Sequence, residues 1–298
     1  MSFEQTIGAS VQCQGVGLHS GAPVTLRILP ATAGTGIVFR RADLDGFTVE
    51  AVGRNVAKVS YATSLMKKGV LISTTEHLLS AFMGLGVDNA IVELDNLEVP
   101  ILDGSAEPFV EMIARAGLKR QRRKRVYLRI RREVEVREGD KSIALYPADE
   151  YSIRYSIHFP PPVGRSAFET DLSNDLYRRE IAPARTFGFR QDEQQMRNMG
   201  LIRGATPQNC IVLNASGVEN GPLRFADEFV RHKVLDLIGD LALLGKRIIG
   251  RVVAERAGHA MHAALVSRLL RDSSLWEETT EEHAPESLAT PAAAEVAY

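Results

Sequence analysis

The chain has 298 residues, of which 45% are hydrophobic and 24% charged, and its formal net charge is −1. This length predicts two domains of ordinary size, with enough apolar side chains to fill their cores. A balance so close to neutral argues against broad nucleic-acid binding, which needs a basic face. Two cysteines, Cys13 and Cys210, exclude a disulfide framework and a cysteine-rich zinc site, and they are typical of a reducing compartment.

The N-terminal residues MSFEQTIGAS contain neither a basic region nor an apolar stretch, so we expect no signal peptide. A run of about 18 apolar residues, which a transmembrane helix needs, does not occur in the sequence. We therefore predict a cytoplasmic protein without a transmembrane segment, whose only membrane association is peripheral contact with a membrane surface.

The first half of the chain mixes strands with two helices. Gly and Pro interrupt short predicted strands at 22–31 and 34–44. Residues 71–86 are predicted as the end of a strand that runs into a helix. A strand at 89–96 then precedes a turn and a second helix within 99–117.

The second half begins with a change in composition. The basic block KRQRRKR, residues 119–125, is interpreted as a solvated linker rather than a nucleic-acid site. The elements predicted after it are strands at 125–139, 141–148 and 151–159, a polar helix at 191–200, a strand at 209–217, a helix at 227–240, a strand at 247–259 and a final helix at 260–278.

Each half thus alternates strands with about two helices, although no sequence repeat relates the halves. The predicted fold class is α+β: two similar domains, each a β-sheet with two main helices on one face. The predicted limits are 1–120 for the N-terminal domain and 121–275 for the C-terminal domain. Residues 276–298 are expected to form a flexible tail, because its last part, ESLATPAAAEVAY, is small and polar.

The helix at 227–240 carries an unusual stripe of ionisable residues. His232, Asp236 and Asp240 recur every four residues on an otherwise apolar helix, and Lys233 lies beside them. This spacing places the side chains on one helix face, so His232 and Asp236 could coordinate one metal ion. The alternative is a satisfied polar face whose His–Asp pair contributes a few tenths of a kcal/mol. Spacing alone leaves both readings open.

A catalytic zinc usually takes three protein ligands, so a further histidine is required. His77 is a candidate because Glu76 precedes it, and a glutamate beside a ligand can accept a proton from water. The alternative is a capping box at 73–76 that serves only the helix start. His259 lies at the end of a predicted strand and just before a helix, where catalytic groups are common, although a helix-start or surface histidine fits that position too. The sequence has no His-Glu-x-x-His motif, so a peptidase of that class is not supported.

Several long motifs, in order, resemble those of one known enzyme family, the UDP-3-O-acyl-N-acetylglucosamine deacetylases. The members of this family are zinc amidases that commit bacteria to lipid A synthesis. The resemblance extends from about Val11 to about Leu270. The motifs that carry it are GVGLHSG, STTEHLLSAFMGLGVDN, VPILDGSAEPFV, ARTFGF, LRFADEFVRHKVLDLIGDL and AGHAMH.

The resemblance implies one Zn²⁺ per chain, with Fe²⁺ as the alternative, held by His77, His232 and Asp236. It implies that Glu76 is the general base and His259 the general acid. The expected substrate is the acylated UDP-sugar UDP-3-O-acyl-N-acetylglucosamine, from which the enzyme removes the N-acetyl group. We expect no nucleic-acid partner and a monomeric protein.

Five further roles follow from the same resemblance. Asp240 would orient and stabilise protonated His259, and Lys233 would face the developing negative charge. Thr186 and Phe187 would lie beside the scissile amide and the sugar. Phe159 would pack on the uracil ring.

The resemblance also implies two domains packed helix layer to helix layer, with the active site between them. An insert near 187–210 would form a hydrophobic passage for the acyl chain. Met196, Met199, Leu201 and Ile202 are candidates to line it, and ordinary packing of a short helix is the alternative. Two other functions remain open: a metal-free binding or regulatory protein on the same fold, and an amidase that acts on a different acyl sugar.

Overall fold

A computed structural model of the chain describes residues 2–281. Its α-helices are α1 (Glu76–Leu85), α2 (Glu107–Ala116), α3 (Asn174–Leu176), α4 (Glu193–Asn198), α5 (Glu228–Leu241) and α6 (His259–Arg271). Its strands in the first half are β1 (Phe3–Ile7), β2 (Val11–Val16), β3 (Pro23–Pro30), β4 (Ile37–Arg41), β5 (Phe47–Glu50), β6 (Val56–Lys58), β7 (Ser64–Lys67), β8 (Val70–Ile72) and β9 (Ala90–Leu94). The remaining strands are β10 (Leu118–Lys124), β11 (Tyr127–Ile130), β12 (Val134–Glu138), β13 (Lys141–Tyr146), β14 (Tyr151–His158), β15 (Arg165–Asp171), β16 (Phe187–Phe189), β17 (Ile211–Asn214), β18 (Gly217–Val218), β19 (Arg247–Glu255) and β20 (Trp276–Thr279).

The predicted α+β class is confirmed. The first half has a five-stranded sheet in the order β2-β3-β9-β4-β5, and α1 packs against α2. The second half has a seven-stranded sheet in which β19 pairs with β11, β13 and β14, and α5 and α6 pack on this sheet. In the part of the chain that the model covers, no helix is long and apolar enough to cross a membrane.

Helix α5 is the central element of the fold, because one side packs on β14 and another on α1. Two layers therefore bury it, and only Arg231 and Lys233 of its residues are partly exposed. The contact with α1 is close at Gly239, where a Cβ atom would lie 2.0 Å from the Glu76 carbonyl oxygen. This explains why an apolar helix carries glycine in its last turn: only glycine admits so close an approach of backbone.

Gly239→Ala should destabilise the protein, although helix propensity alone predicts the opposite sign. Alanine in a helix interior is favoured over glycine by roughly 1 kcal/mol. Here the added methyl group meets backbone that cannot rotate away, and overpacking of this kind costs about 1–3 kcal/mol or more. The free energy of unfolding, measured in urea, should therefore fall. A rise would show that α1 and α5 lie further apart than described.

The interpretation of the basic block at 119–125 as a linker is wrong. These residues lie almost entirely in β10, which pairs antiparallel with β1. Their side chains are mostly exposed, so the solvated character was predicted correctly. The Arg120 guanidinium covers the Phe3 ring at 3.8 Å, and Arg123 pairs with Glu4. The basic residues thus form one strand of a two-stranded ribbon, and the predicted domain limit falls inside it.

The final helix is shorter than predicted. It was expected over 260–278, but α6 ends at Arg271. The Asp272 side chain accepts a hydrogen bond from the Ser274 backbone N–H at 3.0 Å and starts a short turn. This local capping competes with continuation of the helix.

The predicted tail also begins too early, at 276. Strand β20 pairs antiparallel with β11, and the Trp276 indole N–H donates to the Leu269 carbonyl at 2.8 Å. An aromatic anchor therefore holds the first part of the segment. The rest of the predicted tail, residues 282–298, lies outside the described residues, and the domain limits stay predictions.

Candidate metal centre and active site

The start of α5 is fixed by a buried carboxylate. Glu228 accepts the backbone N–H groups of Arg185 at 3.0 Å and Arg224 at 2.6 Å, and it pairs with the Arg185 side chain at 2.8 Å. Burial alone would raise the Glu228 pKa, but these bonds lower it overall. The ion pair therefore ties the segment around Ala184 to the first turn of α5, beside His232.

Three buried side chains bring their donor atoms together between α1 and α5. His232 Nε2 lies 3.4 Å from Asp236 Oδ1, and His77 Nε2 lies 3.6 Å from the same oxygen. Ligand atoms at about 2.0–2.1 Å from one tetrahedral ion are separated by about 3.3 Å. The three side chains are therefore spaced as ligands of a single ion, and one coordination position remains for another group.

The chemical state of these groups also fits a metal ion. The ring of His232 is oriented by a hydrogen bond from Nδ1 to the Ala184 carbonyl at 3.0 Å, which leaves Nε2 as an electron-pair donor. His77 Nδ1 is buried and has no hydrogen-bond partner among residues 2–281. Burial lowers the pKa of His77 to about 3, so its imidazole is neutral. Burial alone would raise the Asp236 pKa, but the neighbouring cations lower it, so this ligand is anionic.

Glu76 is the first residue of α1, and its carboxylate does not serve the helix start. The N-cap residue, Thr75, makes no side-chain capping bond, so the capping-box alternative is wrong. Glu76 Oε2 instead accepts the Thr63 backbone N–H at 3.1 Å. Burial raises its pKa to about 8. A buried carboxylate with a pKa near neutral, beside a candidate ligand, is suited to proton transfer.

His259 begins α6 and faces the same centre. Its Nδ1 lies 2.7 Å from Asp240 Oδ2, and its Nε2 lies 3.8 Å from Asp236 Oδ2. Burial would lower the His259 pKa, but the charge of Asp240 and this hydrogen bond raise it to about 9. His259 is therefore protonated at neutral pH, with one nitrogen held by Asp240 and the other directed towards the candidate ligands.

Lys233 has a partner that the sequence did not indicate. Its Nζ lies 2.5 Å from Asp236 Oδ2. The other carboxylate oxygen, Oδ1, faces His77 and His232. Burial would lower the Lys233 pKa, but the negative charge of Asp236 raises it overall. The ammonium group thus remains charged and steadies a candidate ligand, while Lys233 also lines the cavity described next.

A cavity of about 440 Å³ opens onto these groups. Thr186 and Phe187 line it, and Thr186 is fixed by backbone bonds to Gly104 and Ile211, each 2.8 Å long. Phe159 lies on the same wall, and its ring meets the Phe187 ring edge to face at 5.4 Å. All four residues predicted to contact substrate, Thr186, Phe187, Phe159 and Lys233, therefore lie at one cavity with the candidate catalytic groups.

The segment predicted to form the passage contributes unequally to this cavity. Met196 and Ile202 line it, whereas Met199 and Leu201 are not among the lining residues. Met199 is 54% exposed. Of these four residues only Met196 lies in helix α4, which ends at Asn198; the other three follow the helix and do not share its periodicity, so only part of the segment forms the wall.

Tyr61, Thr63 and His262 are among the residues at the site to which the sequence assigned no role. Tyr61 lines the cavity and has a left-handed backbone conformation, with φ of 67°. Thr63 Oγ1 donates to Asp240 Oδ1 at 2.6 Å. His262 Nδ1 lies 2.8 Å from Asp240 Oδ2. Only His262 has a visible signal, since it follows His259 by three residues and shares its helix face.

Comparison with known proteins matches the chain to one family over nearly its whole length. The model of the UDP-3-O-acyl N-acetylglycosamine deacetylase family matches residues 4–271. A UDP-3-O-acyl-N-acetylglucosamine deacetylase of Solibacter usitatus is 56% identical over 281 residues, which cover 94% of this chain and 95% of the relative. Proteins of the same description from Anaeromyxobacter sp. and Geobacter sp. are 46% and 43% identical, and each alignment covers at least 89% of both chains. The chain therefore belongs to the UDP-3-O-acyl N-acetylglycosamine deacetylase family.

Proposed function

We propose that this protein is a zinc-dependent deacetylase that hydrolyses the N-acetyl group of UDP-3-O-acyl-N-acetylglucosamine, the committed step of lipid A biosynthesis. The observation that carries the proposal is the convergence of His77, His232 and Asp236 on one point beside Glu76 and His259. Family membership supports the substrate, because the matched relatives are described as deacetylases of this UDP-sugar. The cytoplasmic location, the monomeric state and the membrane contact stay predictions.

Two imidazole nitrogens and one carboxylate oxygen with an open position are a ligand set of catalytic zinc sites. Ferrous iron accepts a similar set and remains the alternative metal. When bound, a divalent ion supplies Lewis-acid chemistry: it makes water more acidic, polarises a carbonyl group and favours ionised carboxylates around it.

Two side chains of the protein carry out the two proton transfers of amide hydrolysis. Glu76 takes a proton from water as the water oxygen adds to the acetyl carbon. His259 gives its Nε2 proton to the sugar nitrogen, which keeps the electron pair of the C–N bond as that bond breaks. The products are acetate and the free 2-amino sugar. Asp240 holds His259 in the protonated form that this step needs.

Substrate positioning falls to the cavity walls. Thr186 and Lys233 would donate to the carbonyl oxygen as its negative charge develops, and preorganised donors of this kind often contribute a few kcal/mol each. Phe187 and Phe159 offer aromatic surface for the sugar and the uracil ring. Met196 and Ile202 provide apolar wall for the acyl chain.

Acetate release from the purified protein tests this proposal. UDP-3-O-acyl-N-acetylglucosamine should release acetate, a chelator should stop the reaction, and added Zn²⁺ should restore it. The same sugar without the 3-O-acyl group should react poorly, because it leaves the apolar wall empty. Release from a different acyl sugar alone would indicate another amidase. Binding without hydrolysis at full metal occupancy would indicate a binding protein, and either result would contradict the proposal.

A further inference from the structure

His262 is a fully buried histidine that has no part in the proton transfers described above. It lies one turn after His259 on α6, and its side chain has no solvent exposure. Its Nδ1 is 2.8 Å from Asp240 Oδ2, and its Nε2 is 3.2 Å from the Tyr155 hydroxyl oxygen. A buried imidazole that contacts both a carboxylate and a phenol hydroxyl belongs to a polar network, and such networks hold their members in fixed positions.

The Asp240 carboxylate is held from three sides. Thr63 donates its hydroxyl to Oδ1 at 2.6 Å. His259 and His262 share Oδ2, at 2.7 and 2.8 Å. Because the carboxylate is buried, loss of one donor would leave an oxygen without full compensation and free the group to rotate. The angle at which Asp240 meets His259 therefore depends on the other two donors.

A second metal site does not account for this cluster. Asp240, His259 and His262 do bring three potential ligand atoms close together. Their nitrogen–oxygen separations of 2.7 and 2.8 Å are hydrogen-bond lengths, however. Ligands of one tetrahedral ion stay about 3.3 Å apart, as they do at His77, His232 and Asp236. The geometry at Asp240 is that of hydrogen bonds to a shared carboxylate.

The Tyr155 side of His262 fixes the start of α6. The Tyr155 hydroxyl donates to the Ala257 carbonyl at 2.7 Å, two residues before His259. Tyr155 lies on β14, so this bond joins the sheet to the entry of the helix. His262 therefore has two separable contacts, one to the carboxylate that orients His259 and one to the tyrosine that anchors the backbone.

We propose that His262 is a positioning residue for the deacetylation reaction, which acts by donating its Nδ1 hydrogen to Asp240 and so directing that carboxylate at His259. The inference rests on the proposed role of His259 as general acid. Three side chains then hold the catalytic acid in place: His262 and Thr63 orient Asp240, and Asp240 orients His259.

Two amide substitutions separate the two contacts of His262. In His262→Asn, the amide nitrogen of asparagine lies at the same number of bonds from Cβ as Nδ1 of the histidine. It can therefore still donate a hydrogen bond to Asp240. In His262→Gln, the nitrogen corresponds to Nε2, so the contact with Tyr155 is kept and the donor to Asp240 is lost. Both variants replace an imidazole with a neutral amide, which makes each the control for the other.

We expect His262→Gln to lower kcat by about tenfold to a hundredfold. Loss of a hydrogen-bond partner that orients an active-site side chain usually has an effect of this size. KM and metal content should stay unchanged, and His262→Asn should retain most of the activity. In the His259→Ala background, His262→Gln should cause no further loss, because its effect passes through His259. Tyr177→Phe removes another buried hydroxyl bond, to Ser80, and should leave kcat unchanged.

Equal activity of the Asn and Gln variants, or greater activity of the Gln variant, would overturn the inference. So would a further loss in the His259→Ala background. Full activity of His259→Ala by itself would instead overturn the catalytic proposal on which the inference rests, and the inference with it.

Discussion

Asp236→Ala should abolish metal binding and lower kcat/KM by at least about a thousandfold, because Lewis-acid stabilisation supplies several kcal/mol. Asp236 Oδ1 lies within 3.6 Å of the Nε2 atoms of both candidate histidine ligands, so it is the common point of the ligand set. Its other oxygen pairs with Lys233. The substitution therefore removes the only negative ligand and also leaves the Lys233 ammonium group without its carboxylate.

Elemental analysis of the purified variant measures the first effect, and acetate release the second. Asp227→Ala is a suitable control, since Asp227 also carries a carboxylate at α5 but pairs with Arg231 at a partly exposed position. The control should keep both metal and activity. Full zinc occupancy in Asp236→Ala would refute the assignment of this residue as a ligand.

His259→Ala should have a different signature: normal metal content with turnover reduced at least about a hundredfold, in the range that general acid catalysis contributes. His259 contacts Asp240 and Thr63 rather than completing the ligand set, so its loss leaves His77, His232 and Asp236 in place. Retained turnover would exclude His259 as the proton donor.

The pH dependence tests the same residue independently. Asp240 raises the pKa of His259 to about 9 despite burial. The acid acts while protonated, so on the alkaline side wild-type activity should fall as the pH rises through about 9. In His259→Ala the residual activity should lose this alkaline fall. A fall of equal size in both proteins would assign it to another group.

Local pattern was sufficient to predict part of the site. A spacing of four residues correctly placed His232, Asp236 and Asp240 on one helix face. It could not place His77, which lies on α1, a helix that is distant in the chain and that packs against α5, most closely at Gly239. Resemblance to a family supplied that long-range information. Without it, the metal site and an ordinary polar face were equally consistent with the pattern.

The errors in the fold have a similar cause. The basic block resembles a linker because a strand with mostly exposed side chains has no apolar alternation. Its partner, β1, lies more than a hundred residues earlier. Likewise, β20 was assigned to a helix and a tail because its pairing with β11 cannot be read from neighbouring residues. Tertiary pairing thus determined both elements.

The roles of Thr63 and His262 were missed for a further reason. Each acts through Asp240, which lies 177 residues from Thr63 and 22 from His262 in the chain. Hydroxyl and imidazole groups are common at positions without any catalytic role, so residue type alone gives no signal. Only the folded arrangement brings the three together.

Anomalous diffraction from crystals of the active protein, recorded at the zinc absorption edge, tests the central claim most directly. One peak should appear at about 2.0–2.2 Å from His77 Nε2, His232 Nε2 and an oxygen of Asp236. The second group of potential ligands, Asp240, His259 and His262, provides an internal comparison. A peak there instead, or no peak at either group in fully active protein, would contradict the account.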